Sequence, residues 1–378
     1  MLAMRRTKII ITLGPATDSP EMLEALILAG VNCFRLNMSH AKHEWVRKIV
    51  PTIRDLAEKH DRNVGVLLDT QGPSIRTGDV PSKIKLIPGA QFEFTVNEAK
   101  PSIPNSVSVN YDGLTSDVSE GDIILVDNGI IHMRISKRMP ERLLCEVLTE
   151  GEMGSRRHIN LPALTEKDLA DIAVGAQAGV DFVALSFCRE ADDLDILRAA
   201  LDGNGSEARI VAKIEDQLAV RNLDHIIAKA DIIMVARGDL GIECPMEELP
   251  IIQRRIVKRC QRFGKPVIVA THLLESMISS PMPTRAEVTD VANAVFEQAD
   301  AIMLSGETTT GKYPLKCVEV LDKVACRIEK SGGAGFHSEA LLNDTRQKTV
   351  AAGVQLANSV PGSKLVVFTR RGFVANYA

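Results

Sequence analysis

Eight short apolar runs punctuate the chain, beginning near positions 8, 33, 64, 182, 209, 231, 266 and 301. Between most of them lie stretches with apolar residues every third or fourth position, at about 21–29, 42–58, 168–178, 190–201, 216–229, 247–263, 284–298 and 314–328. The first pattern marks strands buried on both faces and the second marks amphipathic helices. Eight strand–helix alternations predict an α/β fold, a (β/α)8 TIM barrel. The spacing breaks once, between the runs at 64 and 182. Short β-type runs fill that gap, at 83–86, 92–96, 107–109, 123–126, 130–135 and 143–147. Turn signals separate them: Pro88-Gly89, Asp112-Gly113 and Asn128-Gly129, the last a strong hairpin signal. The pattern predicts a β-barrel-like cap domain at 78–160, inserted by two hinges into a catalytic barrel built from 1–77 and 161–330. After a loop at 332–343, a helix-like stretch (346–358) and a strand-like run (364–369) make 345–378 read as the start of a C-terminal α/β domain. A piece that short has too little core to fold alone.

The strand-like runs end in polar groups. Ile232 to Ala236 gives way to Arg237-Gly238-Asp239-Leu240-Gly241, a change from buried strand to charges of both signs and glycines that admit an anion. Lys213 and Glu215 follow another run two residues apart, so an extended chain sets them side by side on one face. The same spacing puts Arg35, Asn37 and Ser39 on one face of a third strand end, and Asp69-Thr70 closes a fourth. Thr271-His272 and Ser305-Gly306-Glu307 complete the set. In a parallel barrel such ends converge at the carboxyl face, where chemistry sits. A strand cap or a turn accounts equally well for Asp69, Thr70 or Asn37 taken alone. Lys213, Glu215 and Asp239 need partners or ligands, because charge at the end of a buried strand is costly when unpaired.

Composition narrows the class. The 378 residues are 45% hydrophobic but only 4% aromatic, which suits an aliphatic core of parallel strands. A net charge of −4 gives no reason to expect nucleic acid, and the basic run Arg254, Arg255, Lys258, Arg259, Arg262 fits the exposed side of one helix. Seven cysteines without a C-x-x-C pair point to a reducing, cytoplasmic compartment rather than a disulfide framework. No apolar run reaches the length of a membrane span.

Longer motifs identify a resemblance. They are Thr7-Lys8-Ile9-Ile10-Ile11-Thr12-Leu13-Gly14-Pro15-Ala16-Thr17, Phe34-Arg35-Leu36-Asn37-Met38-Ser39-His40, Leu68-Asp69-Thr70 with Gly72-Pro73 and Ile75-Arg76-Thr77-Gly78, Ala212-Lys213-Ile214-Glu215, and Met234 to Gly241. Ala270-Thr271, Leu274-Glu275-Ser276-Met277, Pro283-Thr284-Arg285-Ala286-Glu287-Val288 and Met303-Leu304-Ser305-Gly306-Glu307-Thr308 continue the series. Across nearly its whole length the chain resembles pyruvate kinases, with most of their C-terminal domain missing from the sequence. The resemblance implies Mg2+-dependent phosphoryl transfer from phosphoenolpyruvate to ADP, giving pyruvate and ATP at the last step of glycolysis. It implies Glu215 and Asp239 as ligands of Mg2+ (or Mn2+), Lys213 facing the moving phosphoryl group and the enolate, and Arg35 and Arg76 facing phosphate. Gly238 and Asp239 would hold the substrate carboxylate, and Thr271 would stand beside the enolate carbon. Pro15, His40 and Arg76 would line the nucleotide site. Asn37, Ser39, Asp69 and Thr70 would bind K+. The full-length family forms homotetramers, so a homo-oligomer is expected.

Two departures from the family pattern carry consequences. Ser74 stands where many members have glutamate and K+-independent members often have lysine, which leaves K+ dependence open. The stretch 156–168 is shorter than the usual hinge, which bears on cap closure. His272 replaces a common glutamine, and His158, His225 and His337 read as ordinary polar residues. Two other functions compete: a Mg2+-dependent lyase or aldolase of the pyruvate-enolate type on a similar barrel, and a non-catalytic regulatory relative. The lyase needs neither cap nor nucleotide site. The regulatory relative has no use for Lys213, Glu215, Asp239 and Thr271.

Overall fold

The structure is a computed structural model that describes residues 5–72, 75–116, 118–126, 131–155, 159–160 and 163–369. Strands β1 (Lys8–Thr12), β2 (Cys33–Asn37) and β3 (Gly65–Asp69) come first. The insert then carries β4 (Ile84–Leu86), β5 (Gln91–Thr95), β6 (Ser106–Ser108), β7 (Ile123–Val126), β8 (Ile131–Met139), β9 (Arg142–Val147), β10 (Gly151–Met153) and β11 (Ile159–Asn160). Strands β12 (Phe182–Leu185), β13 (Arg209–Ile214), β14 (Ile232–Ala236), β15 (Val267–Ala270) and β16 (Ala301–Leu304) follow. Strands β1, β2, β3 and β12 to β16 close into one parallel barrel in chain order, β16 pairing back onto β1. This is the expected (β/α)8 architecture.

Alternation along the strands divides the residues between two apolar layers. Ile9, Ile11, Val66, Leu68, Ala212 and Val235 face outward into the core shared with the helices. Ile10, Cys33, Leu67, Ala184, Val211 and Met234 fill the barrel axis. Two residues further along the inward face of four strands stand Thr12, Arg35, Asp69 and Lys213, so the interior turns polar one layer above its apolar plug. At the opposite end, side chains ahead of the strands close the ladder. Asn32 Oδ1 accepts from Ile9 N (3.0 Å), Asp181 Oδ2 from Val66 N (2.7 Å), Asp231 Oδ2 from Ile210 N (2.8 Å) and Asp300 Oδ2 from Val267 N (2.8 Å).

The helices follow the periodic stretches, including His43–Lys59, Glu166–Ala178, Leu249–Phe263 and Pro314–Glu329. The stretch 216–229 is instead two helices, Gln217–Arg221 and Leu223–Lys229, which meet at Asn222. The basic run lies on Leu249–Phe263, where Arg254 pairs with Glu297, Lys258 with Glu339 and Arg259 with Asp224. The cysteines are free, and burial pushes the Cys145 and Cys317 thiols up to about 12, so they pack as neutral side chains.

In the insert, a six-stranded sheet (β11-β7-β8-β9-β5-β6) and a ribbon of β10 and β4 enclose a separate core around Phe92, Phe94, Met133 and Leu143. Strands β7 and β8 pair as a hairpin, whose Asn128-Gly129 turn lies outside the described residues, as do Pro73, Ser74, His158 and much of the return hinge. Past the barrel, helix Thr345–Ser359 forms where a helix is expected. The expected strand at 364–369 is absent. That stretch has no partner strand among the described residues, and a lone strand has nothing to satisfy its backbone. No helix among the described residues is long and apolar enough to cross a membrane.

Candidate active site

The carboxyl ends of β2, β3, β12 and β13 bring one connected polar group together on the barrel axis. Asp69 is fully buried. Its Oδ2 accepts from Arg35 Nε at 2.6 Å, and its Oδ1 lies 3.2 Å from Lys213 Nζ. Lys213 Nζ also lies 2.9 Å from Glu215 Oε1, as two residues on one strand face require, and donates to Ser186 Oγ at 2.7 Å. Arg35 further donates to Thr12 Oγ1 at 3.0 Å.

Charge balance differs across this group. Burial works against the Asp69 carboxylate, but two flanking cations, Arg35 and Lys213, outweigh it and hold its pKa below the ordinary range. Burial likewise opposes the Lys213 ammonium, and the Asp69 and Glu215 charges overcome it and raise its pKa. Glu215 goes the other way. Burial raises its pKa and the like charge of Asp239 adds to the rise, which the Lys213 ammonium and the Phe187 N–H oppose without overcoming it. Glu215 Oε2 accepts from Phe187 N at 2.6 Å. Oε1 is buried with no hydrogen-bond donor, because the Lys213 ammonium sits within ion-pair distance but off the hydrogen-bonding direction. A buried, under-satisfied carboxylate oxygen within electrostatic reach of a second carboxylate suits a hard dication, which takes few protein ligands when substrate oxygens complete its shell. Among the described residues no cluster of three or more His, Cys, Asp or Glu side chains offers a fuller metal cage.

Two strand ends are held in strained backbone. Phe187 has φ +54°, and Thr271 and His272 have φ +68° and +54°, a region costly for side chains with a Cβ. The strain at Phe187 accompanies the N–H aimed at Glu215. At Thr271 the clamp is Arg237, which is buried and donates to the carbonyls of Ala270 and Thr271 while Asp290 holds its other side at 2.7 Å. Gly238 N donates to Thr271 Oγ1 at 2.8 Å, and that hydroxyl donates to Ala270 O at 2.7 Å. Gly238 and Asp239 belong to the first turn of helix Arg237–Glu243, directly after β14.

The remaining expected residues lie around this group, some of them at its exposed rim. Arg76 is on the outgoing arm, and its Nη1 pairs with Glu243 Oε1 at 2.9 Å, linking that arm to the end of helix Arg237–Glu243. Pro15 and His40 are exposed. Asn37 ends β2, whereas Ser39 lies in the turn beyond it and not on the strand face. Its N–H returns to Asn37 Oδ1 at 3.2 Å, a local turn that competes with strand extension. Thr70 is buried, with Oγ1 donating to Ala184 O at 3.0 Å. Asn37, Ser39, Asp69 and Thr70 supply oxygens suited to a monovalent cation, but Asp69 is already balanced by two cations.

Sequence reasoning gave no role to Ser186 or Glu243, and marked Arg237 as a strand-end charge without finding that it clamps the Ala270 and Thr271 carbonyls. Ser186 directly follows β12, two residues past the inward-facing Ala184, yet a small neutral residue gives no charge signal. The strand-end rule that found Lys213 reaches it when neutral hydroxyls are counted.

The family model described as the barrel domain of pyruvate kinase matches residues 4–318. The chain is 43% identical to plastidial pyruvate kinase 2 of Arabidopsis thaliana, over 98% of this chain and 66% of that protein. It is 43% identical to the chloroplastic pyruvate kinase isozyme G of Nicotiana tabacum, over 98% of this chain and 68% of that protein. It is 42% identical to the pyruvate kinase of Bacillus licheniformis, over 94% of this chain and 62% of that protein. The chain thus spans about two thirds of the length of these relatives.

Proposed function

Because the chain belongs to the pyruvate kinase family, we propose that it transfers the phosphoryl group of phosphoenolpyruvate to ADP, giving pyruvate and ATP. The observation that carries this reading is the inward-facing Lys213 ammonium 2.9 Å from Glu215, a buried carboxylate that also feels the like charge of Asp239. Phosphoryl transfer asks for positioning and charge neutralisation more than for covalent help. Lys213 and Arg35 supply fixed positive charge for the phosphate oxygens, and Arg76 joins them on release from Glu243. Glu215 and Asp239 would hold Mg2+, which when bound neutralises oxygens of the substrate and the moving phosphoryl group.

The enol phosphate O–P bond breaks as a terminal oxygen of ADP bonds to phosphorus. Lys213 balances the enolate left behind, and a proton at its terminal carbon completes pyruvate. Thr271, placed beside that carbon, orders the water that delivers the proton. Gly238 N reaches a substrate carboxylate by leaving Thr271. Pro15 and His40, at the exposed rim, are assigned to the nucleotide, and Asn37, Ser39, Asp69 and Thr70 to K+, which stimulates without being absolutely required. Ser74, in place of a carboxylate, weakens the local field for that ion.

The test is pyruvate formation from phosphoenolpyruvate and ADP with Mg2+, followed by Mg2+ titration of Glu215→Gln and Asp239→Asn. Each variant should need at least about tenfold more Mg2+ for half-maximal rate, with activity partly recovered at high metal. Absence of pyruvate formation by the parent, or unchanged metal curves in both variants, would contradict this reading.

A further inference from the structure

Three oxygens surround the Lys213 ammonium: Glu215 Oε1 and Asp69 Oδ1 within ion-pair distance, and Ser186 Oγ, to which it donates a hydrogen bond. Under the function proposed above, on which this inference rests, two of the three have other duties. Glu215 turns to a metal ion, and Asp69 is shared with Arg35 at 2.6 Å. Ser186 is the neutral partner that no ion claims. We infer that Ser186 is a positioning residue, which keeps the Lys213 ammonium aimed along the barrel axis while the carboxylates around it change partners.

The surroundings of Ser186 are built for this. A hydroxyl has one proton to give and two lone pairs. Oγ accepts from Lys213 at 2.7 Å and gives its proton to Thr70 O at 2.7 Å, with Asp69 Oδ1 3.2 Å away as the alternative acceptor. Because a main-chain carbonyl takes that proton, the lone pairs are left facing the ammonium. The Ser186 N–H donates to Thr70 Oγ1 at 3.2 Å, which fixes the backbone. Gly72 closes the other side. A Cβ there would stand 2.7 Å from Ser186 Cβ, and its φ of +64° also favours glycine, so the outgoing arm of the cap packs directly on the serine. The next residue, Phe187, carries the strained backbone whose N–H is spent on Glu215. One strand end therefore holds both members of the Lys213–Glu215 pair, through two successive residues.

The experiment compares the parent with Ser186→Ala and with Ser186→Cys, which fills the same space with a weak acceptor. For both variants kcat should fall at least tenfold while KM for phosphoenolpyruvate stays within threefold, because an ammonium that wanders costs the transition state more than the ground state. In the Lys213→Met background Ser186→Ala should lower the rate no further, and the Tm losses of the two single variants should not add. A kcat within threefold of the parent, equal effects on kcat and KM, or full additivity in the Lys213→Met background would overturn the inference. A parent that forms no pyruvate overturns the functional reading instead. The Tm cycle still decides, without activity, whether Ser186 holds Lys213: additive losses reject it and non-additive losses uphold it.

Discussion

Glu287 shows how a motif can be structural while sitting among functional ones. Its Oε1 accepts from Ser276 N at 2.6 Å, and its Oε2 accepts from Ser276 Oγ, Thr284 N and Thr284 Oγ1. The carboxylate caps helix Arg285–Phe296 in a reciprocal box with Thr284 and fastens the turn after β15. Partial burial disfavours the charge, but these donors outweigh it and hold the pKa below the usual carboxylate value. A depressed pKa in the folded state means stability that is present above the unfolded value and lost as pH falls through the folded one. Glu287→Gln, with one acceptor oxygen fewer, should cost about 1–2 kcal/mol at pH 7. Thermal melts should show the gap to the parent narrowing as the parent's own carboxyl protonates toward pH 4 and below. Equal melting at pH 7, or a gap that stays constant down to low pH, would contradict that role. The same scale shows what a sequence conveys. Lys213 and Glu215 were legible because charge at a strand end is conspicuous and a spacing of two fixes the shared face. Ser186 was not, because its role depends on an ammonium brought from another strand. Ser39 was placed on the β2 face because alternation was carried one step past the strand, where the Asn37 side chain had already turned the chain.

At the level of elements, the helix Glu166–Ala178 is where the cap's two arms are tied. Asp168, fully buried in its first turn, accepts from Gly72 N of the outgoing arm at 3.1 Å through Oδ1. Through Oδ2 it accepts from Thr165 N and Thr165 Oγ1 of the return arm at 3.0 and 2.7 Å. Three residues on, buried Asp171 holds His43 Nε2 at 2.7 Å and Lys167 Nζ at 2.6 Å, and Lys167 also donates to Met38 O. One helical turn thus fastens both hinges and the loop that carries Ser39 and His40. Asp168→Ala should release Gly72, raising the exchange rate of its amide hydrogen at least tenfold, and should lower stability by about 2 kcal/mol. A Gly72 amide as protected as in the parent would show that the arm is held by something else. The sequence marked the helix by its periodicity. Its cap could not be matched to Gly72, since hydrogen bonds between residues 96 apart leave no local pattern. The run at 364–369 illustrates the converse: β-type residues do not make a strand without a neighbour to pair with.

Over the whole molecule, the barrel followed from alternation repeated eight times, and the insert from the one break in spacing. What no periodicity conveyed is how the insert's arm meets the barrel. Arg76 pairs with Glu243 across the mouth of the site, and Gly72 rests on Ser186. The arm touches Ser186 beside Lys213 at one end and the helix after β14 at the other, so the position of the arm is mechanically joined to the charged strand ends. A barrel lyase would have no need of that junction, and a non-catalytic relative would have no need to keep an ammonium inside it. The central claim is that Lys213 stabilises charge that develops during phosphoryl transfer. It is tested most directly by Lys213→Met, with kcat measured for pyruvate formation and phosphoenolpyruvate binding measured by calorimetry on the same preparations. Loss of such a group costs on the order of 3 kcal/mol or more, a fall in kcat of at least about a hundredfold, with phosphoenolpyruvate affinity within about threefold of the parent. A kcat within about tenfold of the parent, a difference of roughly 1.4 kcal/mol, would contradict the account.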